Sequence, residues 1–394
     1  MDFLKRTWAE IRMDALAHNF RQIRRKVGPD CKIMAVVKAD GYGHGDRQVA
    51  QVFQREGANW FAVSNIEEAM HLRQGGITKP VLILGFTPAD RAAQLCANRI
   101  SQTVFSLDYA KALSEQAQKA GVEVDCHIKL DTGMSRLGFL CDPAHFSQSI
   151  EQIGETVALP GLACTGIFTH FACADEANED SDRFTLEQFS RYQKGVAELE
   201  KRGVRFSLHH CCNSAATMRF PQMHLDMVRP GVILYGLNPT PDCAGLMDLV
   251  PAMDLKSTVA MVKQVGQGAQ VSYGRTYTAS NGTVLATVPI GYADGYRRTH
   301  SNQAHMAVHG KLAPVVGTVC MDQLMLDVSE VPDLHEGDLV TVFGKDGEAF
   351  LPVDELAARN ETIHYEMVCL VGKRVPRIYL RGGKPVGQLN YICP

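Results

Sequence analysis

The stretch "MAVVKADGYGHG", residues 34–45, begins as an apolar, strand-forming run that ends at Lys38. Gly41, Gly43 and Gly45 then alternate with Tyr42 and His44. A buried strand that hands a lysine to a permissive loop, followed by the amphipathic "DRQVAQVFQREG" (46–57), reads as one strand–helix unit. The pattern recurs in "WFAVS" (60–64), "VLILG" (81–85), "QTVFS" (102–106), "CHIKLD" (126–131), "LACTGIFTHF" (162–171), "FSLHHCCN" (206–213) and "MVRPGVILYG" (227–236). Helical stretches such as "IEEAMHLRQGG" (66–76), "DYAKALSEQAQKAG" (108–121) and "TLEQFSRYQKGVAELEKRG" (185–203) separate them, and several stop at Gly. Eight strands alternating with helices over residues 13–240 predict parallel βα units closed into a (β/α)8 barrel.

Beyond Pro239 the texture changes. "STVAMVKQV" (257–265), "AQVSYG" (269–274), "TVLATVPIG" (283–291), "HMAVHG" (305–310), "APVVGTVCMDQLMLDVSE" (313–330) and "LVTVFG" (339–344) are short runs cut by Gly, Pro and Asn. They predict a mostly antiparallel β domain over residues 241–394, with "NPTPDCAG" (238–245) at the junction and one late helix in "PVDELAARN" (352–360). "TWAEIRM" (7–13) is strand-like, so residues 1–12 are expected to form a strand that pairs with this second domain.

The totals narrow the function classes. The 394 residues suffice for a barrel plus a smaller unit, and 45% hydrophobic with 21% charged residues is ordinary for a globular chain. A net charge of −3 gives no positive field for nucleic acid or an anionic membrane. Charges interrupt the first twenty residues, so no signal-peptide core is present, and no apolar run is long enough to span a membrane. The twelve cysteines are scattered without a C-x-x-C, which predicts free thiols in a reducing cytoplasm and no metal site.

Barrel enzymes build their sites where strands end. Those ends carry Lys38, Lys129 and Asp131 with Arg136 beyond, His170, His210 with Asn213 and Ser214, and Arg229 with Gly231. His209 and His210 are adjacent on a strand and point to opposite faces, so they do not share one metal ion. "DEANEDSD" (175–182) reads as a solvated loop. "CNSAA" (212–216) opens a helix with Asn213 and Ser214, and "RPGV" (229–232) adds the N–H groups of Gly231 and Val232. Together they form a phosphate cradle in the loops after strands seven and eight. A strand-end lysine able to form an imine, opposite a phosphate cradle, points to pyridoxal 5'-phosphate.

Nine blocks in order carry a family resemblance: "VVKADGYGHG", "DTGMSRLG", "THFACADE", "CNSAA", "MVRPGVILYG", "VSYGRTY", "PIGYADGY", "GTVCMDQ" and "TIHYE". On these the chain resembles bacterial alanine racemases over nearly its whole length. The resemblance implies a pyridoxal-phosphate-dependent amino-acid racemase that makes D-alanine for peptidoglycan and works as a homodimer with shared sites. It implies that Lys38 holds the cofactor as an imine, while Tyr42, Ser214, Gly231, Val232 and Tyr365 hold the phosphate and Asn213 supports that loop. Arg229 meets the pyridine nitrogen, and Arg136 meets the phenolic oxygen and serves the substrate. Lys129, which family members often carry carbamylated, His210 and Asp322 are in supporting places. Tyr273 and the main-chain N–H of Met321 come from the other subunit, the first as second base and the second for the substrate carboxylate. His170 links Tyr273 to Arg229 in a hydrogen-bond relay.

Racemisation removes the α-proton from one face and returns one to the other, so two bases on opposite faces suffice once the cofactor provides an electron sink. By resemblance, Lys38 serves the D-isomer and Tyr273 the L-isomer. Family members often have arginine two residues before the "CMDQ" block; here Thr318 stands there, while Arg298, Asp175 and Tyr292 match the other corridor positions. Tyr273 and Tyr365 are expected to narrow the entrance and favour alanine, with serine close behind because a methyl pocket discriminates weakly against a hydroxyl. The alternatives are a racemase of broader range, a decarboxylase of the same architecture, a non-catalytic pyridoxal-phosphate carrier and a cofactor-free Schiff-base aldolase. Arg229 argues against the decarboxylase, which needs an acidic partner for the ring nitrogen.

Overall fold

A computed structural model describes residues 3–393. The chain forms two compact units, one of residues 16–41 and 46–250, the other of residues up to 15, 42–45 and from 251 onward.

The first unit is a parallel barrel. Its strands are Lys32–Val36, Trp60–Val63, Val81–Ile83, Ile100–Val104, Val124–Asp131, Leu162–Phe168, Leu208–His210 and Met227–Val228. Each pairs in parallel with its neighbour, and Met227–Val228 lies beside Lys32–Val36. The remaining seam, between Leu208–His210 and Met227–Val228, is bridged by Asp226 N–H to His209 O at 3.2 Å and Arg229 N–H to Cys212 O at 2.9 Å. Helices alternate with the strands and begin on side-chain caps. Asn65, Ser106, Asn178 and Asn213 each accept from a backbone N–H three residues on. Phe20, Phe53 and Tyr235 pack at ring separations of 6.1 Å in the core of this unit.

Two strand readings need correction. The first strand stops at Val36 rather than Lys38. From Ala39 to Gly43 the backbone is left-handed, with φ of 53° at Ala39 and 55° at Asp40, so Lys38 opens a turn instead of closing a strand. In "MVRPGVILYG" only Met227–Val228 is strand; Val232–Tyr235 is a 3₁₀ turn. Pro230 supplies no ladder N–H, and Gly231 redirects the chain at φ −116°, ψ −96°.

The second unit is a mostly antiparallel sheet. Thr7–Arg12 lies inside it, antiparallel to Met253–Thr258 and parallel to Arg377–Arg381. Two further antiparallel neighbours, Val284–Val288 and Leu324–Asp327, extend the sheet. The helix Val353–Arg359 packs in this unit. Residues 42–45 belong here as well: Arg377 Nε donates to Gly43 O at 2.9 Å and Tyr379 Oη to His44 O at 3.1 Å. Gly43 has φ +79°, and a Cβ there would stand 2.1 Å from Val368 O. Close backbone packing thus requires the glycine at position 43.

Candidate active site

Each unit carries its own set of the expected residues. In the barrel, Arg229 follows the last strand and is 3% exposed. Its Nη2 donates to Thr169 O at 2.7 Å and Cys211 O at 3.0 Å and lies 3.3 Å from His170 Nδ1. Its Nη1 meets His210 Nδ1 at 3.0 Å, and His210 Nε2 meets His127 Nδ1 at 2.9 Å. Arginine only donates, so His210 Nδ1 accepts and its proton sits on Nε2. By the same reasoning His127 carries its proton on Nε2, which is buried without a partner among the described residues. Burial, then the charge of Arg229, holds His127 down at about 3 and His210 well below the ordinary histidine value. Both rings are therefore neutral at physiological pH. Burial lowers Arg229 itself to about 10, which leaves it a cation there. Its Nε–H has no acceptor among the described residues and remains for a ligand.

His127 was not among the residues singled out from the sequence. The signal existed: His127, Lys129 and Asp131 alternate along Val124–Asp131, so all three share one face of the strand.

Lys129 is buried, and its amine lies 5.7 Å from the Phe168 ring centroid. Burial, then Arg136 and Arg229, lowers it to about 8. Lys38 acts on it in the same direction, and Asp131 opposes them. Asp131 is committed elsewhere, since its Oδ1 accepts the N–H groups of Gly133, Met134 and Ser135 at 3.0 Å each and thereby shapes the loop that carries Arg136. The same cations, after burial, push His170 well below its ordinary value. Asn213 caps the helix Ser214–Arg219 through Ala216 N–H at 2.9 Å, and Ser214 Oγ accepts from Gly231 N–H at 2.8 Å, which ties the two cradle loops together. Ser214, Gly231 and Val232 are buried; Lys38 is half-buried and Arg136 exposed.

In the β unit the Tyr42 and Tyr365 rings lie 6.2 Å apart. Tyr273 is 71% exposed and Met321 50%. Asp322 pairs with Arg374 at 2.6 Å, and Arg374 also holds the buried Asp294. Thr318 is buried, and its Oγ1 donates to the main-chain carbonyl of Tyr273 at 2.7 Å.

Comparison with known proteins decides the lineage. The alanine racemase N-terminal domain model matches residues 11–239 and the C-terminal domain model residues 252–379. The chain belongs to the alanine racemase family. The alanine racemase of Desulfovibrio desulfuricans is 47% identical over 380 residues, which cover 96% of this chain and all of that one. That of Desulforamulus reducens is 46% identical over 95% of this chain and 98% of its own. Among solved structures, the alanine racemase of Clostridium difficile superposes with a TM-score of 0.94 at 38% identity, covering 99% of this chain and all of that one. The Bacillus anthracis alanine racemase with bound L-Ala-P gives 0.91 at 34% identity, covering 100% and 99%.

Alanine racemases depend on pyridoxal phosphate, and the barrel's donors fit that group. The groups acting on Lys129 are three cations and one carboxylate already bonded to backbone, a surplus that an anionic phosphate and phenolate would balance. The two cradle loops are joined by the Ser214–Gly231 bond, and the uncommitted Arg229 Nε–H suits an unprotonated ring nitrogen. Among the described residues no His, Cys, Asp or Glu group could hold a metal ion, and no helix is long and apolar enough to cross a membrane.

Proposed function

We propose that the chain interconverts L-alanine and D-alanine by a two-base mechanism in the cytoplasm, supplying D-alanine for peptidoglycan, as a homodimer whose sites each borrow Tyr273 from the partner copy. When bound, pyridoxal phosphate supplies the sink for the electron pair left at Cα. Lys38 holds the cofactor and moves the proton on the D face. The partner subunit's Tyr273 moves it on the L face. Ser214, Gly231, Val232, Tyr42 and Tyr365 hold the phosphate, with Asn213 fixing the cradle loop. Arg136, with Lys129 behind it, orients the phenolic oxygen and the substrate, and the partner subunit's Met321 N–H takes the substrate carboxylate. Asp322, held by Arg374, supports the Met321 loop. His170 connects Tyr273 to Arg229.

The observation that carries this reading is the state of Arg229. A buried guanidinium, clamped by two carbonyl oxygens and a neutral histidine pair, could only donate to the cofactor's ring nitrogen and would not protonate it. With such a partner the cofactor would supply a weaker electron sink, which would favour return of the proton to Cα over transamination. A decarboxylase or transaminase needs the opposite arrangement. Incubating the purified protein with a panel of L-amino acids and assaying D-product tests the proposal. Alanine should turn over fastest, with serine next; absence of D-alanine would leave only a cofactor carrier.

A further inference from the structure

Tyr273 stands at the tip of a short hairpin in the β unit, where Gln270–Val271 pairs antiparallel with Tyr277–Thr278. The connecting turn is strained. Ser272 has φ +67° and Arg275 φ +54°, left-handed values for residues with side chains, and Gly274 lies between them at +70°. Such residues persist only where their surroundings over-determine them. The exposed ring of Tyr273 offers little packing of its own.

The bracing comes from residues 317–318. Thr318 Oγ1 donates to the main-chain carbonyl of Tyr273 at 2.7 Å, and Ser272 Oγ donates back to Thr318 O. Thr318 Oγ1 also lies 3.3 Å from Thr276 Oγ1. Asn302 closes the ring: its Nδ2 donates to Thr276 Oγ1 at 3.0 Å and its Oδ1 accepts Gly317 N–H at 2.6 Å. Gly317 permits the close approach, since a Cβ there would stand 2.8 Å from Ser272 Cβ and 2.9 Å from Val271 O. Thr318 is 6% exposed, so water does not compete for its hydroxyl.

We infer that Thr318 is a positioning residue: its hydroxyl fixes the turn that aims Tyr273, and so sets the rate of proton transfer on the L face. This deepens the reading of Tyr273 given above and rests on it. The chain has threonine where family members often have arginine, and the hydrogen bonds give that departure a job.

The test uses the holoenzyme with Thr318→Val, which keeps the shape and removes the hydroxyl, and Thr318→Ser, which keeps the hydroxyl. The equilibrium constant between mirror-image amino acids is one, so kcat/KM must fall equally in both directions and cannot say which face slowed. The primary isotope effect can. In Thr318→Val, kcat/KM should fall about tenfold, as expected for one lost buried hydrogen bond that holds the turn behind the reacting phenol. The isotope effect with α-deuterated L-alanine should rise, while that with α-deuterated D-alanine should not. Thr318→Ser should restore the rate to within about twofold of the parent. The inference is overturned if Thr318→Val races at the parent rate, if both isotope effects rise together, or if Thr318→Ser fails to rescue. Tyr273→Phe separates the two levels. If it leaves the L-face step intact, the assignment of Tyr273 itself is wrong; if it stops that step while Thr318→Val is silent, only the role of Thr318 falls.

Discussion

The barrel mouth and the tip of the Gln270–Thr278 hairpin are finished in different ways. Around Arg229 the guanidinium meets two carbonyl oxygens and two histidine rings, and a buried lysine nearby is stripped of part of its basicity by its surroundings. At the hairpin the backbone is braced from beneath, yet Tyr273 and Met321 project into solvent. The first is a preorganised electrostatic site, whose dipoles and charges are fixed before any ligand arrives. The second is a braced backbone that carries a solvent-exposed phenol. A catalytic phenol left in water is a poor base, so the contrast supports the reading that the exposed half serves another copy's buried half.

The largest expected effect tests that contrast directly. Lys38→Ala and Tyr273→Phe should each lower activity by about 10²–10⁴-fold or more, the range expected for a lost proton-transfer group. If sites are shared, mixing the two inactive variants under conditions that exchange subunits should restore activity, because the hybrid dimer has one site with Lys38 and Tyr273 both intact. If mixing restores nothing although hybrids form, Tyr273 serves its own chain or none. Circular dichroism melting of Tyr273→Phe should stay close to the parent, since the change removes one hydroxyl and keeps the ring.

Next in size is Arg229→Glu. A carboxylate in this place would face Thr169 O and Cys211 O with no donors to replace the guanidinium's. Racemisation should slow about 10–100-fold, and a long-lived long-wavelength absorbance band should appear as the ring nitrogen becomes protonated. An active variant with no such band would remove the case for a deliberately weak electron sink.

The smallest effect is a pH slope in stability. Lys129 binds its proton less readily in the folded barrel, at about 8, than in the unfolded chain. The unfolded state therefore holds more protons between that value and the ordinary lysine range, and stability contributed by this group rises with pH across that window. Below pH 8 the folded state carries the full penalty, on the order of 3 kcal/mol. Chemical denaturation of apoenzyme from pH 7 to 10.5, referenced to Lys129→Met, should show the slope in the parent alone. Equal slopes in both proteins would place the buried charge elsewhere.

Much of the architecture was legible because barrel strands are short apolar runs between amphipathic helices; Val81–Ile83 falls inside the stretch read at 81–85, while the strand read at 102–106 begins and ends two residues earlier, at Ile100–Val104. Lys38, Lys129, His170, His210 and Arg229 stood out as candidates because strand ends are ordered by chain direction, whereas Tyr42, Tyr273, Met321, Asp322 and Tyr365 came from the family resemblance. What escaped was local backbone and long-range bonding. Ala39 and Asp40 adopt left-handed conformations that their side chains do not advertise, so the first strand looked longer than it is. "VILY" has strand propensity but follows Pro230 and Gly231, and the turn wins. Thr318 was visible only as a departure, because its partner, the carbonyl of Tyr273, lies far away in sequence. His127 hid in an ordinary core strand, where only its two-residue spacing from Lys129 hinted at a shared face.

The placement of Thr7–Arg12 in the interior of its sheet, between Met253–Thr258 and Arg377–Arg381, bears on how the chain is made. The segment leaves the ribosome before either neighbour exists. Residues 16–250 include every strand of the barrel and can close it during synthesis, while this early ribbon waits with both edges unpaired. The sheet cannot be completed until the strand Arg377–Arg381 has been made, so its assembly follows the synthesis of the whole barrel.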